Sequence, residues 1–296
     1  MNPNQRAYFE LHIAVFLWGF TAILGDLIQL SALVLVWWRV LITSFSLLLI
    51  LRSFKAFREM PRRLLLQYMG IGVLVALHWL AFYGAIKLAN ASVSLICMAT
   101  TSLFTSMLEP LILRQRMKGY ELLLGVMVIP GMALIANTLD FSMLAGFWAG
   151  LAAALLAAIF STLNKKLVTR ADPVPITFLE LGSAWLFLSL FLPFFLKANT
   201  QTGFWPTGMD FGYLLILALL CTTLPYVLSL RALKHLSAFA ANLSINLEPV
   251  YGILLAWVIL KENKELSPGF YMGGLIILIA VFSYPVLKKK VEKLKS

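Results

Sequence analysis

Charge is scarce in this chain, and that scarcity sets its class. Asp, Glu, Lys and Arg make up 12% of the residues, against 61% hydrophobic residues and a mean hydropathy of +0.89. So little polar surface cannot cover a water-soluble globule of 296 residues. Cysteine is nearly absent too. Cys97 and Cys221 sit inside apolar runs without metal-ligand spacing to each other or to His12, His78 or His235, which makes them packing residues. There is no phosphate-cradling glycine loop, no His/Cys/Asp cluster with metal spacing and no nucleophile elbow. An enzymatic reading therefore has nothing to stand on, and no metal or cofactor is expected. The opening MNPNQRAYFE lacks a basic region followed by a short apolar core and a small-residue cleavage site, so no removable signal is expected.

What the chain does have is ten apolar segments, at 8–24, 33–51, 64–88, 91–113, 122–137, 143–163, 173–196, 211–230, 237–260 and 268–287, of which the first and fifth are the shortest. Links are brief and carry turn formers such as Ala171-Asp172-Pro173, leaving no room for a soluble domain. The ninth segment, SAFAANLSINLEPVYGILLAWVIL, organises the rest. Its single charge, Glu248, lies about 16 Å in, near the midplane of a bilayer. An ionised carboxylate there is costly unless it is paired or faces water, and Asn242, Asn246 and Pro249 surround it with amide groups and a broken hydrogen-bond ladder.

The basic residues give orientation. With a cytoplasmic N-terminus the inner set is Arg6, Arg52, Lys55, Arg58, Arg62, Arg63, Arg114, Arg116, Lys118, Lys165, Lys166, Arg170, Arg231, Lys234, Lys288, Lys289, Lys290, Lys293 and Lys295. Against these nineteen stand four outside, Lys87, Lys197, Lys261 and Lys264, a split that requires an even number of spans and puts both termini in the cytoplasm. The net charge of +11 therefore records topology and contact with anionic lipid, and nucleic acid is excluded as a partner.

A slide of 147 positions sets Ala85-Ile86-Lys87-Leu88 on Ala232-Leu233-Lys234-His235, Ala91 on Ala238, Leu108 on Leu255 and Ile112-Leu113 on Ile259-Leu260. Each half, 1–142 and 143–296, holds five segments, so the second must insert upside down relative to the first. The expected fold is an all-α integral membrane protein of ten transmembrane helices arranged as two inverted five-helix repeats.

HWLAFYGAIKLANASVSL in the first half and AFAANLSINLEPVYGILLAWVILKE in the second, with Trp18-Gly19 in the first span and Arg39 early in the second, resemble the EamA-like branch of the drug/metabolite transporter superfamily. The resemblance spans essentially the whole chain. It implies secondary transport without naming a cargo, and the expected location is the inner (cytoplasmic) membrane. The first half departs from the pattern by ending its fourth span in Arg114-Gln115, where a Gly-Glu pair is common; the second keeps Lys261-Glu262.

Individual polar groups each carry two readings. Glu248 is a protonatable carboxylate or a structural hydrogen-bond acceptor. His78, with Trp79, Phe82 and Tyr83, forms a cavity wall and a proton carrier, or a neutral interhelical bridge whose aromatics face lipid. Arg39 snorkels to the outer surface, the favoured account, or offers a fixed charge to a substrate carboxylate. Glu109 and Glu180 read as local salt-bridge partners near the cytoplasmic face, and Glu10 and His12 as interfacial. Pro130, Pro225 and Pro249 interrupt spans five, eight and nine, and Pro225 and Pro249 are hinge candidates. Gly146, Gly150, Ala154 and Ala158 form a ridge for an internal seam or a homodimer.

The resulting expectation is an exporter of small organic metabolites such as amino acids, working by alternating access. The solute binds among spans one, three, four, eight and nine against Trp18, His78, Trp79, Tyr83, Tyr226, Asn242 and Asn246. Glu248, and secondarily His78, couples its movement to protons. An uncoupled facilitator and a non-transporting membrane scaffold or sensor are the alternatives.

Overall fold

A computed structural model describes residues 2–51, 54–199, 203–261, 266–283 and 286–287. Arg52, Glu262, Lys264, Lys288, Lys289, Lys290, Lys293 and Lys295, which enter the reading of orientation and of the Lys261-Glu262 pair, lie outside the described residues. The described residues form helices joined by short links, with no strand among them.

The helices are α1 Pro3–Trp18, α2 Thr21–Leu27, α3 Ala32–Ile50, the short α4 Lys55–Glu59, α5 Arg62–Leu88, α6 Ala91–Met98 and α7 Thr101–Leu113. The remainder are α8 Gly119–Thr138, α9 Leu144–Leu167, α10 Pro173–Ala198, α11 Gly208–Ala218, α12 Leu224–Leu233, α13 Ala238–Ile245, α14 Glu248–Leu255 and α15 Pro268–Phe282. Joined across their breaks, α1–α2, α6–α7, α11–α12 and α13–α14 each make one span, and nine runs among the described residues are long and apolar enough to cross a membrane. The first and fifth, shortest in the sequence, reach 25 and 20 residues. Large apolar side chains such as Leu49, Leu111, Phe194 and Val258 point outward, as a lipid-facing surface requires.

The breaks have local causes. At Gly19 the backbone of the first span meets α14 so closely that an added Cβ would lie 2.9 Å from the Tyr251 Cβ. Pro225 and Pro249 stand in the first turns of α12 and α14, where a missing N–H costs nothing, and a π-helical turn at Leu219–Thr223 precedes the first of them. Thr222 and Thr223 hydroxyls donate to the Leu217 and Ala218 carbonyls in that turn, at 2.6 and 2.9 Å. Pro130 behaves differently from its expectation. It lies inside α8, which runs through it without interruption from Gly119 to Thr138.

The backbone repeats the 147-residue spacing in detail. Asn90 caps α6 by accepting from Val93 N at 2.9 Å, and Ser237 caps α13 by accepting from Ala240 N at 3.1 Å. Thr101 and Glu248 each open the second half-helix of their span. Arg114 and Lys261 end those spans and are the described non-glycine residues with positive φ, 54° and 61°.

Packing centres on α5, which lies against α9 and α10, while α8 pairs with α15 and α1 with α12. The small-residue ridge is an internal seam: a Cβ on Gly146 would meet Ala85 and Ala89 of the first half, and one on Gly150 would meet Cys97.

Candidate functional site

The broken spans meet around one cavity, with about 100 Å³ of free space. Its wall takes Trp18 and Thr21 from the first span, Arg39 from α3, and His78, Trp79 and Phe82 from α5. Thr101 comes from α7, Phe160, Ser161 and Asn164 from α9, Tyr226 from α12, Asn242 from α13 and Glu248 from α14. The mixture of aromatic walls and few convergent polar groups is that of a small-molecule site.

Arg39 overturns its snorkelling account. It is 1% exposed and turned inward, with Nε donating to Thr222 Oγ1 and Nη1 to Tyr83 Oη, both at 2.7 Å, and Cζ 4.0 Å from the Trp79 ring centroid. The reason is the face it occupies: Val36, Val40, Thr43 and Leu47 on the same side of α3 are buried as well. Glu248, which lines the same cavity, lies within hydrogen-bonding reach of Thr21 and within the electrostatic reach of Arg39.

His78 Nδ1 donates to the Ala153 carbonyl at 2.8 Å, so that when the ring is neutral Nε2 is the acceptor nitrogen. Its aromatic neighbours Trp79, Phe82 and Tyr83 are buried in protein, so they do not face lipid. Asn242 Nδ2 donates to Thr105 Oγ1 at 2.7 Å and Ser161 Oγ at 2.8 Å, tying α13 to α7 and α9. Asn246 bonds Ser102 at 3.0 Å in the break of span nine, and its side chain is not part of the cavity wall; nor is Tyr83, which stands behind Arg39.

Neither Glu109 nor Glu180 forms a salt bridge among the described residues, against expectation. Glu109 instead accepts from the Ala238 and Phe239 amides at 3.0 and 2.7 Å, so a first-half carboxylate caps a second-half helix. Glu180 is fully buried and accepts from Asn164 Nδ2 at 3.2 Å and from the Tyr226 hydroxyl. Glu10, by contrast, pairs with exposed Arg6 at 2.9 Å, as an interfacial residue does.

Sequence reasoning misses Thr21, Thr101, Ser161 and Asn164. Two signals bear on them. The slide of 147 sets Thr101 on Glu248, and Asn164 begins the Asn164-Lys165-Lys166 run that reads as a solvated link. No group of three or more His, Cys, Asp or Glu suited to a metal occurs among the described residues.

One family model, that of the EamA-like transporter family, matches twice, over residues 5–137 and 144–284. The chain belongs to the EamA-like transporter family. It is 27% identical over 98% of its length, and 89% of the other's, to an uncharacterized transporter, YetK, of Bacillus subtilis strain 168. A crystal structure superposes with a TM-score of 0.70 at 15% identity, covering 97% of this chain and 98% of that one, a likeness that carries the fold alone. Family and spans together make the EamA-like chain a multi-pass membrane protein of transporter type.

Proposed function

We propose that the chain is a proton-coupled exporter of small organic metabolites, amphoteric ones such as amino acids in particular, acting in the cytoplasmic membrane. Ten spans form two inverted halves, 1–142 and 143–296, with both termini in the cytoplasm. The double match of one family model and the 147-residue spacing of caps, breaks and left-handed ends support the repeat.

The observation that carries the reading is the presence of two opposite charges in the wall of one cavity. Arg39 and Glu248 both line it, within electrostatic reach of each other, and Arg39 is fixed by Tyr83, Thr222 and Trp79. A solute bearing an acidic group is drawn to the guanidinium, and its ammonium group to the ionised Glu248 carboxylate. Its aromatic or aliphatic part then lies against Trp18, Trp79 and Tyr226. A proton arriving from the other side neutralises Glu248 and removes that attraction, so proton and solute compete for one carboxylate. Competition of this kind gives exchange, with proton entry driving solute exit. His78 is the secondary proton carrier, and the junctions at Pro225 and Pro249 are where the halves flex.

The test is flux in proteoliposomes. Vesicles are loaded with mixed amino acids and related metabolites, a pH gradient is imposed, and mass spectrometry identifies what moves for wild type and Glu248→Gln. One solute class should follow the gradient in wild type and lose that coupling in the variant. Flux indifferent to the gradient in both proteins removes the role of Glu248 and leaves a facilitator.

A further inference from the structure

Glu180 of α10 and Asn164 of the cavity wall are joined by one hydrogen bond, yet each keeps a buried oxygen without a partner. Asn164 Nδ2 donates to Glu180 Oε2 at 3.2 Å, and the Tyr226 hydroxyl donates to the same oxygen. Glu180 Oε1 and Asn164 Oδ1 have no hydrogen-bond partner among the described residues, although Glu180 is 0% and Asn164 2% exposed. Orphans of this kind are rare in native proteins.

The donor and acceptor count has a simple solution. A carboxylic acid and a primary amide form a closed pair in which the amide N–H donates to the acid carbonyl and the acid O–H donates to the amide oxygen. Half of that pair is already present. A hydrogen on Oε1 supplies the other half and satisfies both orphan oxygens at once.

Charge gives the same answer. From α12 the titratable group facing Glu180 is Tyr226, and from α5 it is Tyr68, whose hydroxyl is bonded to the Leu167 carbonyl at 2.9 Å. His78, also on α5, is bonded to the Ala153 carbonyl. Arg39 of α3 is committed to Thr222 and Tyr83, and Lys165 of α9 donates to the Leu233 carbonyl at 2.7 Å. Arg170, in the link before α10, is exposed and forms no ion pair with Glu180. Among the described residues no cation balances an ionised Glu180, and a buried unpaired carboxylate is heavily penalised.

We infer that Glu180 and Asn164 form a second proton-binding site, separate from Glu248, and that the structure shows it loaded. Release breaks the Oε1–H bond, leaves the electron pair on the carboxylate and passes the proton to water entering the cavity. Two lone pairs then face each other across the Glu180–Asn164 contact. Asn164 must turn away, and because Asn164 and Tyr226 both form cavity wall, unloading reshapes the place where a solute sits. This inference does not depend on solute exchange at Glu248.

Infrared spectroscopy of the full chain in lipid nanodiscs at neutral pH tests it. Wild type and Glu248→Gln should both show a carbonyl stretch of a protonated carboxylic acid that Glu180→Gln lacks. The amide introduced by Glu180→Gln can form the equivalent amide–amide pair with Asn164, so that variant should fold. In Tyr226→Phe the acid carbonyl loses one of its two donors, and its band should move to higher frequency. If Glu180→Gln instead loses carboxylate stretches and keeps the whole acid band, Glu180 is ionised, with water bridging the two oxygens, and the inference is overturned. An acid band unmoved in Tyr226→Phe overturns it equally. Either result leaves the flux experiment on Glu248 untouched.

Discussion

The Arg39 guanidinium stacks on Trp79, its Cζ 4.0 Å from the ring centroid, and thereby fixes a positive charge in the wall of a cavity within a membrane. Four contacts hold it: two hydrogen bonds at 2.7 Å and the faces of Trp79 and Tyr83. Arg39→Ala removes the cation, strands the Tyr83 hydroxyl, takes one of two bonds from the Thr222 hydroxyl and leaves Glu248 without a counter-charge. A loss of about 3 kcal/mol follows from breaking a buried charged network. Arg39→Lys keeps the charge and loses the planar stack and the fork, so it should retain fold while weakening solute affinity. Thermal unfolding in nanodiscs beside flux separates the two; equal stability in wild type and Arg39→Ala would show that the network contributes nothing.

Glu109 crosses between halves to cap α13, and its replacement should be felt at that helix end. Both carboxylate oxygens are used, on the Ala238 and Phe239 amides. Glu109→Gln retains one acceptor and loses the charge, and Glu109→Ala loses both bonds. The expected cost is about 2 kcal/mol for Ala and less for Gln. Hydrogen exchange should rise locally at residues 238 and 239, and unchanged protection there in Glu109→Ala would remove the cap from the account.

Legibility in the sequence differs between backbone and side chains. The 147-residue slide matches caps and helix ends because caps and turn residues are local signals: Asn90 and Ser237 each open a half-broken span, and Arg114 and Lys261 each close one. The inward face of α3 is not readable. In a membrane protein the lipid side and the protein side of a helix are both apolar, so the 3.6-residue period that marks a core face in a soluble protein is blunted. Sequence places Arg39 in depth but not in rotation, which is why the surface is its favoured address there. Glu109 and Glu180 escape for a related reason. Their partners, a helix end and an Asn–Tyr pair, lie 129 and 16 or 46 residues away in sequence, where no short-range pattern reaches.

Gly72 is where α5 and α10 touch, and it should tolerate no side chain. A Cβ there would lie 2.0 Å from the Glu180 carbonyl oxygen and 2.2 Å from Ser183 Oγ. The first is backbone and cannot rotate away, so Gly72→Ala must push the helices apart. A loss of about 3 kcal/mol is expected from overpacking of this severity. Gly70 on the same helix has no described atom within 4 Å of such a Cβ, and Gly70→Ala should be close to neutral. Paired melting curves in one lipid composition decide it, and indistinguishable midpoints would mean that the α5–α10 contact is looser than described.

Asn242 gives a prediction in which the more similar residue is the worse replacement. Its Nδ2 donates to Thr105 Oγ1 and Ser161 Oγ, at 2.7 and 2.8 Å. Both hydroxyl hydrogens are already spent, Thr105 on the Thr101 carbonyl at 2.7 Å and Ser161 on the Ala158 carbonyl at 3.3 Å. The two oxygens therefore need a donor, and only an N–H or an O–H can serve. Asn242→Asp sets an acceptor against two acceptors and adds a buried charge, whereas Asn242→Ala merely leaves them unpaired. Ala should cost about 2 kcal/mol, and Asp more at neutral pH. Protonated Asp regains one donor, so lowering the pH should recover stability in Asn242→Asp and not in Asn242→Ala. Unfolding midpoints of both variants across a range of pH read this out directly. If Asp proves as stable as Asn at neutral pH, the hydroxyls can turn to donate, and the tie joining α13 to α7 and α9 is not directional.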